Sequence, residues 1–176
     1  MKKIIITFVF SIVSNAFFAQ SGFDKFDGQD GVTSIIVNKK MFQMMASVKV
    51  DANDKETQQY LNLIKKLDNL QVFTTTSSKI SADMKSTADK YMKTAGLEEL
   101  MRVNDGGGNL KVWVKSGSTS NQIKELLMFG KEVNNDNETV LMSLTGDFNM
   151  DDISILTDKM NLPGGEDLKK ATKEKK

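Results

Sequence analysis

Histidine and cysteine are both missing from this chain of 176 residues, and proline and tryptophan occur once each. Without histidine or cysteine, the chain can form neither a Ser-His-Asp nor a Cys-His nucleophile, and most zinc sites and all redox dithiols are excluded. No serine is followed by lysine three positions later, so a Ser-x-x-Lys pair is excluded as well. Paired carboxylates could still hydrolyse glycosidic bonds, so a carboxylate- or metal-dependent hydrolase stays open as an alternative.

An excess of one charge is also missing, since 24 lysines and arginines face 23 aspartates and glutamates. Proteins that bind nucleic acid carry a clustered basic excess, so no nucleic-acid partner is predicted. No cofactor is indicated by any motif. One basic cluster lies at residues 166–176, which include five lysines. It is predicted to be a solvated tail, and a loose attraction to anionic lipid headgroups is the alternative.

Long apolar runs are absent after the N-terminus. Lys2 and Lys3 precede a nearly unbroken apolar run at residues 4–13, and the small residue Ala19 follows, which is typical of a secretory signal peptide at residues 1–19. The run is shorter than the roughly 20 residues that span a bilayer, and no later stretch forms a transmembrane segment. Because no cysteine can accept a lipid anchor, the released chain is expected to be soluble, in the periplasm or outside the cell. Residues 20–165 are predicted to form a single domain.

Hydrophobic periodicity in the first half of the chain predicts helices with strands between them. The clearest helix covers residues 78–95, where apolar side chains recur every three or four positions and Gly96 follows as a C-terminal cap. The expected order is a strand, two helices, a strand and this helix, at residues 32–37, 39–46, 56–67, 70–76 and 78–95.

The second half is predicted to form antiparallel strands. Residues 98–103 and 110–115 flank a loop of asparagine, aspartate and glycine, which is typical of a hairpin. Residues 122–130 also fit a helix, but a second hairpin with residues 139–145 is favoured, because an asparagine-rich turn separates them.

A last helix is expected to begin at Asp151 or Asp152 and to continue through Met160, before Pro163. With it, the predicted elements form an α+β domain. One mainly antiparallel sheet of about six strands is covered by three to four helices.

Three segments also resemble a known family. Residues 90–103, 122–127 and 143–148, which read KYMKTAGLEELMRV, QIKELL and SLTGDF, are similar in order to an uncharacterised family of exported bacterial proteins, "domain of unknown function 4252". The resemblance implies an envelope location and an α+β fold, and it implies no catalytic residue. Many relatives carry a lipoprotein cysteine after the signal, where this chain has Gln20.

One acidic segment has part of the spacing of a calcium loop. Asp147, Asn149, Asp151 and Asp158 occupy its first, third, fifth and twelfth places. However, Asp152 stands where the loop requires glycine. These residues are therefore only a weak calcium candidate. The alternative is that the aspartates lie at the N-terminus of a helix, where negative charge is favourable.

Several predicted strands carry apolar side chains on both faces. Val112 and Trp113 lie on opposite faces of one strand, and Met128 faces away from Leu127 on the next. Helices on both faces would make all of these residues core. Alternatively, one face is open and carries Trp113, Leu100 and Met128 as a contact patch, since tryptophan is enriched at such sites.

A group of methionines on the predicted helix at residues 39–46 allows two interpretations as well. Met41, Met44 and Met45 lie close together on the helix surface. Methionines at helical spacing usually fill the core, but they also form adaptable binding surfaces.

Together these patterns favour a non-enzymatic exported envelope protein that binds a protein partner or an apolar ligand. The predicted contact residues are Trp113, Leu100, Arg102 and Met128. A hydrolase that uses carboxylates or a metal is one alternative, and a structural or adhesive module is another. The oligomeric state is not predicted.

Overall fold

The computed structural model describes residues 22–48, 54–105, 108–119, 121–131, 137–149, 151–153 and 155 of the chain. The predicted signal peptide at residues 1–19 and the predicted tail at residues 166–176 lie outside this part of the chain. The expected end of the last helix at Met160 and the proline at position 163 also lie outside it.

Six strands form one open antiparallel sheet, which confirms the predicted α+β fold. The strands are β1 (Thr33–Asn38), β2 (Leu67–Thr75), β3 (Glu98–Asp105), β4 (Gly108–Ser116), β5 (Gln122–Lys131) and β6 (Thr139–Asn149). Their order across the sheet is β1-β2-β6-β5-β4-β3, and each neighbouring pair is antiparallel. Because β6 pairs with both β2 and β5, it joins the two halves of the chain. β1 and β3 are the two edges of the sheet.

Three helices begin where the sequence provides a polar cap. They are α1 (Lys39–Met45), α2 (Lys55–Ile64) and α3 (Ser78–Ala95), and residues 151–153 and 155 are also helical. The side chains of Asn38, Asp54 and Ser77 accept a hydrogen bond from the first turn of α1, α2 and α3 respectively. Gly96 ends α3 in the left-handed conformation, with φ of 68°, which glycine enters without a steric penalty.

Helices cover both faces of the sheet. The α1–α2 face carries α1, α2 and the helical residues near Ile153, whereas the α3 face carries α3 and an N-terminal segment with Phe23 and Phe26. Successive strand residues alternate between the two faces. The middle strands therefore supply both cores, which explains why they are apolar on both sides.

Several predicted boundaries are wrong, and the strand expected at residues 70–76 begins three residues earlier, at Leu67. The helix expected at residues 56–67 ends at Ile64, because Leu67 is already the first residue of β2 and pairs with Gly146. The strand expected at residues 139–145 continues to Asn149, which pairs with Gln122 at the start of β5. The strand at residues 122–130, which also fitted a helix, is confirmed as β5.

The longest described helix is α3, with 18 residues. Neither it nor any other helix in the described part of the chain is apolar enough over a sufficient length to cross a membrane.

Candidate contact surface at the β1 edge

β1 is an edge strand of the sheet, and four of its six residues are exposed. β1 pairs with β2 along one side, and no described strand pairs with its other side. The register with β2 runs without a shift from Thr33 opposite Thr74 to Asn38 opposite Asn69. β1 contains no charged residue and no proline, and these are the residues that proteins use to block edge pairing. Neither of these devices therefore blocks the outer side of β1.

The opposite edge, β3, is protected by two of these devices. Four of its eight residues are charged, namely Glu98, Glu99, Arg102 and Asp105. Its register with β4 shifts between Glu99 and Met101, so a bulge interrupts the regular ladder. The two edges of one sheet thus differ in whether they can accept a strand.

Helix α1 follows β1 directly and has two apolar sides. Phe42 and Ala46 are buried against the sheet, as expected for residues four positions apart. Met41 and Met44 lie on the other side of the helix, and 49% and 58% of their surfaces are exposed. Helix α1 therefore carries large apolar side chains that its packing on the sheet leaves exposed.

The exposed large apolar side chains of the described residues all come from one short stretch of the chain. We call them the edge surface, and they are Ile35, Ile36, Met41, Met44 and Val48. Ile35 is opposite Val72 and so lies on the α1–α2 face, while Ile36 is opposite Gln71 and lies on the α3 face. Contiguous exposed apolar surface is typical of contact sites, so this stretch of the chain is a candidate for one.

Opposite charges lie at the two ends of β1. Asp30 precedes the strand and Lys40 follows it, and both side chains are exposed. Neither forms an ion pair with another described residue, whereas neighbouring Lys39 is bound to Asp68 at 2.6 Å. The strand therefore has one free negative and one free positive group, one at each end.

The structure separates the predicted contact residues Trp113 and Met128. Trp113 lies on the α3 face and is 2% exposed, while Met128, opposite Val112, is fully buried on the α1–α2 face. The alternative in which one open face carries Trp113, Leu100 and Met128 is therefore wrong. Helices bury the middle of the sheet on both sides, as the other alternative stated.

Leu100 and Arg102 lie on the β3 edge, on different faces. The bulge turns Leu100 to the same side as Met101, where it is half-buried against the core of the α1–α2 face. Arg102 is exposed and its guanidinium binds the Glu99 carboxylate at 2.6 Å. A contact role for these two residues stays a prediction, but they do not join Trp113 in one surface.

The weak calcium candidate is divided between different elements. Asp147 and Asn149 lie on β6, Asp151 begins the last helical residues, and Asp158 lies outside the described part of the chain. Hydrogen bonds from Gln122 and then Lys124 lower the pKa of Asp147, so this carboxylate already has partners. Among the described residues, no three carboxylates come close enough to hold a metal ion.

A depression at the end of the sheet near Asp147 is rich in lysine. Its lining residues are Lys39, Lys65, Lys66, Asp68, Lys124, Asp147 and Asn149. Ion pairs at 2.6–3.3 Å join Lys39, Lys66 and Lys124 to aspartates. Most of the positive charge is thus already balanced, and such exposed pairs contribute little to stability.

The most deeply buried carboxylate in the described chain lies beneath α3. Glu125 is 7% exposed, and its carboxylate is hydrogen-bonded by the hydroxyl of Tyr91, whose ring packs on Phe23 at 4.9 Å. Burial raises the pKa of Glu125, and burial together with this carboxylate raises the pKa of Tyr91. Glu125 Oε1 has no hydrogen-bond partner among the described groups. One isolated carboxylate does not provide the pair that glycoside hydrolysis requires.

Sequence reasoning did not identify Ile35 and Ile36 as candidate contact residues, because a β-branched strand has the same composition in the centre of a sheet and at its edge. For Met41 and Met44, the sequence allowed two interpretations, core filling and an adaptable surface, and both side chains are exposed. The absence of charge throughout β1 is the signal that separates it from the protected edge β3.

Comparison with known families agrees with the resemblance noted in the sequence. The family model described as "Domain of unknown function (DUF4252)" matches residues 26–156, which include β1 to β6 and α1 to α3. No curated protein matches the chain. No solved structure matches it either. Since the matched residues are most of the chain, this protein belongs to the domain of unknown function 4252 family.

Proposed function

We propose that this protein is an exported, non-enzymatic binding protein of the bacterial cell envelope, and that it holds its partner at the edge surface. The observation that supports this proposal most directly is the difference between the two sheet edges. β3 is blocked by charge and a bulge, whereas β1 is regular and uncharged. The signal-peptide pattern at residues 1–19 supports export.

Strand addition is the binding mode that the edge surface favours. An extended segment of the partner forms backbone hydrogen bonds with β1, and its alternating side chains cover Ile35 on one face and Ile36 on the other. Met41 and Met44 cover the side of the added strand, since their unbranched side chains adapt to different shapes.

The size of the surface sets the expected strength of binding. Burying one isoleucine or methionine side chain completely contributes about 1.5–3 kcal/mol, and roughly half of each is already covered here. Association itself costs at least about 4 kcal/mol. Together the five side chains contribute roughly 4–8 kcal/mol, which does little more than offset this cost, so the backbone hydrogen bonds of an added strand supply the specificity.

Photo-cross-linking in the native envelope tests the proposal. A cross-linking amino acid placed at Ile36 is expected to form a discrete adduct that mass spectrometry can identify. The matched control carries the same amino acid at Lys93, an exposed position on α3. A second protein carries the cross-linking amino acid at Met44 and is expected to form the same adduct. Adding Ile36→Lys to that protein should remove the adduct, because a charge at an open edge opposes pairing.

The result that contradicts the proposal is equally definite. If Ile36 and Met44 form no adduct, or if Lys93 gives the same adduct as they do, the edge surface is not the contact site. The hydrolase alternative stays a prediction, and activity that depends on Glu125 in a screen against envelope glycans would support it.

A further inference from the structure

We infer that the partner of the edge surface is a second copy of this chain, bound by antiparallel pairing of two β1 strands about a two-fold axis. This inference rests on the proposed function, because it names the occupant of the same surface. Pairing of this kind would join two six-stranded sheets into one continuous sheet.

The charges at the ends of β1 favour a second copy over an unrelated strand. In an antiparallel pair, the start of each β1 lies beside the end of the other. The free carboxylate of Asp30 in one copy then lies at the same end of the paired strands as the free ammonium group of Lys40 in the second copy, and the symmetry repeats this arrangement. A surface that carries complementary charges at opposite ends of one strand is self-complementary.

The two faces of the sheet restrict the register of pairing. Residues directly opposite each other must lie on the same face, so a two-fold axis can pass through Ile35 or through Ile36 but not between them. Asp30 lies in the turn before β1 and Lys40 lies in the first turn of α1, so either register places the Asp30 end of one strand beside the Lys40 end of the other. The register centred on Ile35 brings together the more exposed isoleucine of each copy, at 53% against 43% for Ile36, and it is the one that we infer.

The side chains of β1 are compatible with this register. No like charges are brought together, since β1 has no charged residue. On the α1–α2 face, the two Ile35 side chains meet, with α1 of each copy on the same face. On the α3 face, Ile36 lies opposite Ser34 of the second copy, whose hydroxyl already has a partner in its own chain, Asp27 at 2.7 Å. No polar side chain on β1 loses a partner on pairing.

Reciprocal charge reversal provides the test. We expect the purified protein to sediment as a dimer at micromolar concentration. Lys40→Asp and Asp30→Lys should each weaken the dimer by roughly tenfold or more, because two attractions become two repulsions. The double variant should restore dimerisation to within a few-fold of the original. Both side chains are exposed and lack an ion pair within the described chain, so circular dichroism and thermal unfolding of the monomer should not change.

Two further variants locate the interface. Ile35→Lys places two positive charges opposite each other at the axis and is expected to give a monomer, whereas Lys93→Glu on α3 should leave the dimer intact. A dimer that persists in Ile35→Lys, or single charge reversals that the double variant does not rescue, would overturn the inference.

The outcomes separate this inference from the proposed function. A protein that stays monomeric up to about 100 μM, a concentration that would populate even a weak dimer, overturns self-association. If cross-linking at Ile36 then captures a different envelope protein, the edge surface still binds a partner and only its identity is wrong. If cross-linking also fails, both the inference and the proposed function are wrong.

Discussion

At the scale of single residues, the least favourable group in the described chain is the Glu125 carboxylate. The buried polar side chains of the described core all lie on the α3 face, and most of them are hydrogen-bonded, as Ser81 is to Thr139 at 2.7 Å. Glu125 has Tyr91 as a partner for its carboxylate but leaves Oε1 without one. A charged group in this position costs free energy, which is the reason why burial raises its pKa.

The raised pKa of Glu125 predicts how stability depends on pH. Between the unfolded and the folded pKa of this acid, the folded state binds more protons than the unfolded state, so the free energy of unfolding falls as pH rises through this window. Glu125→Gln removes the titration and should flatten this decline. Urea unfolding at about pH 5 and about pH 8 measures this effect. From the lower to the higher pH, the free energy of unfolding of the variant should rise by about 1 kcal/mol relative to that of the original protein.

A second carboxylate serves as the control, because its pKa is displaced in the other direction. The pKa of Asp147 is lowered by hydrogen bonds from Gln122 and Lys124, so its contribution to stability is present at neutral pH and is lost as pH falls. Asp147→Asn should therefore change stability in the opposite pH sense. If Glu125→Gln and the original protein follow parallel pH curves, Glu125 does not titrate as a buried acid.

At the scale of elements, one glycine allows α2, β2 and β6 to meet. Asp147 donates its backbone N–H to the Lys66 carbonyl oxygen at 2.9 Å, where the chain leaves α2 and enters β2. A Cβ atom on Gly146 would lie 2.5 Å from the Lys66 carbonyl oxygen and 2.9 Å from the Leu67 Cα atom. These are backbone atoms, which cannot rotate away as a side chain can.

Replacement of this glycine should therefore be costly. Gly146→Ala is expected to lower the free energy of unfolding by about 1–3 kcal/mol, the usual cost of overpacking, measured by urea denaturation. Gly22→Ala is the matched control, because its Cβ would make an ordinary contact at 3.4 Å with the Tyr91 ring. Equal effects of the two substitutions would show that the approach of β6 to Lys66 is not tight.

Elements with local signals could be predicted from the sequence, and their pairing could not. Helix α3 has the predicted bounds, because Ser77, the apolar spacing and Gly96 are all local features. The insertion of β6 between β2 and β5 depends on contacts between distant residues, which no local pattern records. The pattern of polar and apolar residues in β3 likewise does not indicate the bulge that turns Leu100 toward the core of the α1–α2 face.

At the scale of the whole molecule, the open sheet face expected around Trp113 is covered for one physical reason. Trp113 lies between Lys111 and Lys115 in the sequence, which suggested an exposed strand face. The ends of a strand can reach solvent while its middle is covered, and Trp113 is buried with Met84 and Ala88 of α3 in one core. Strands that are apolar on both faces indicate a sheet buried on both sides, and the surface available for contact is then at an edge.

A sheet shared by two cores should also unfold as one unit, since β2, β4, β5 and β6 supply side chains to both faces. Trp113, the only tryptophan, reports on the α3 face, while circular dichroism reports on the whole chain. At a concentration where the protein is monomeric, the two urea curves should coincide. Leu144→Ala, on the opposite face, should lower the free energy of unfolding by about 2–5 kcal/mol in both measurements, because the cavity weakens the common sheet. If Trp113 fluorescence is unaffected while circular dichroism shifts, the two cores are independent, and a partner at the β1 edge could stabilise one without the other.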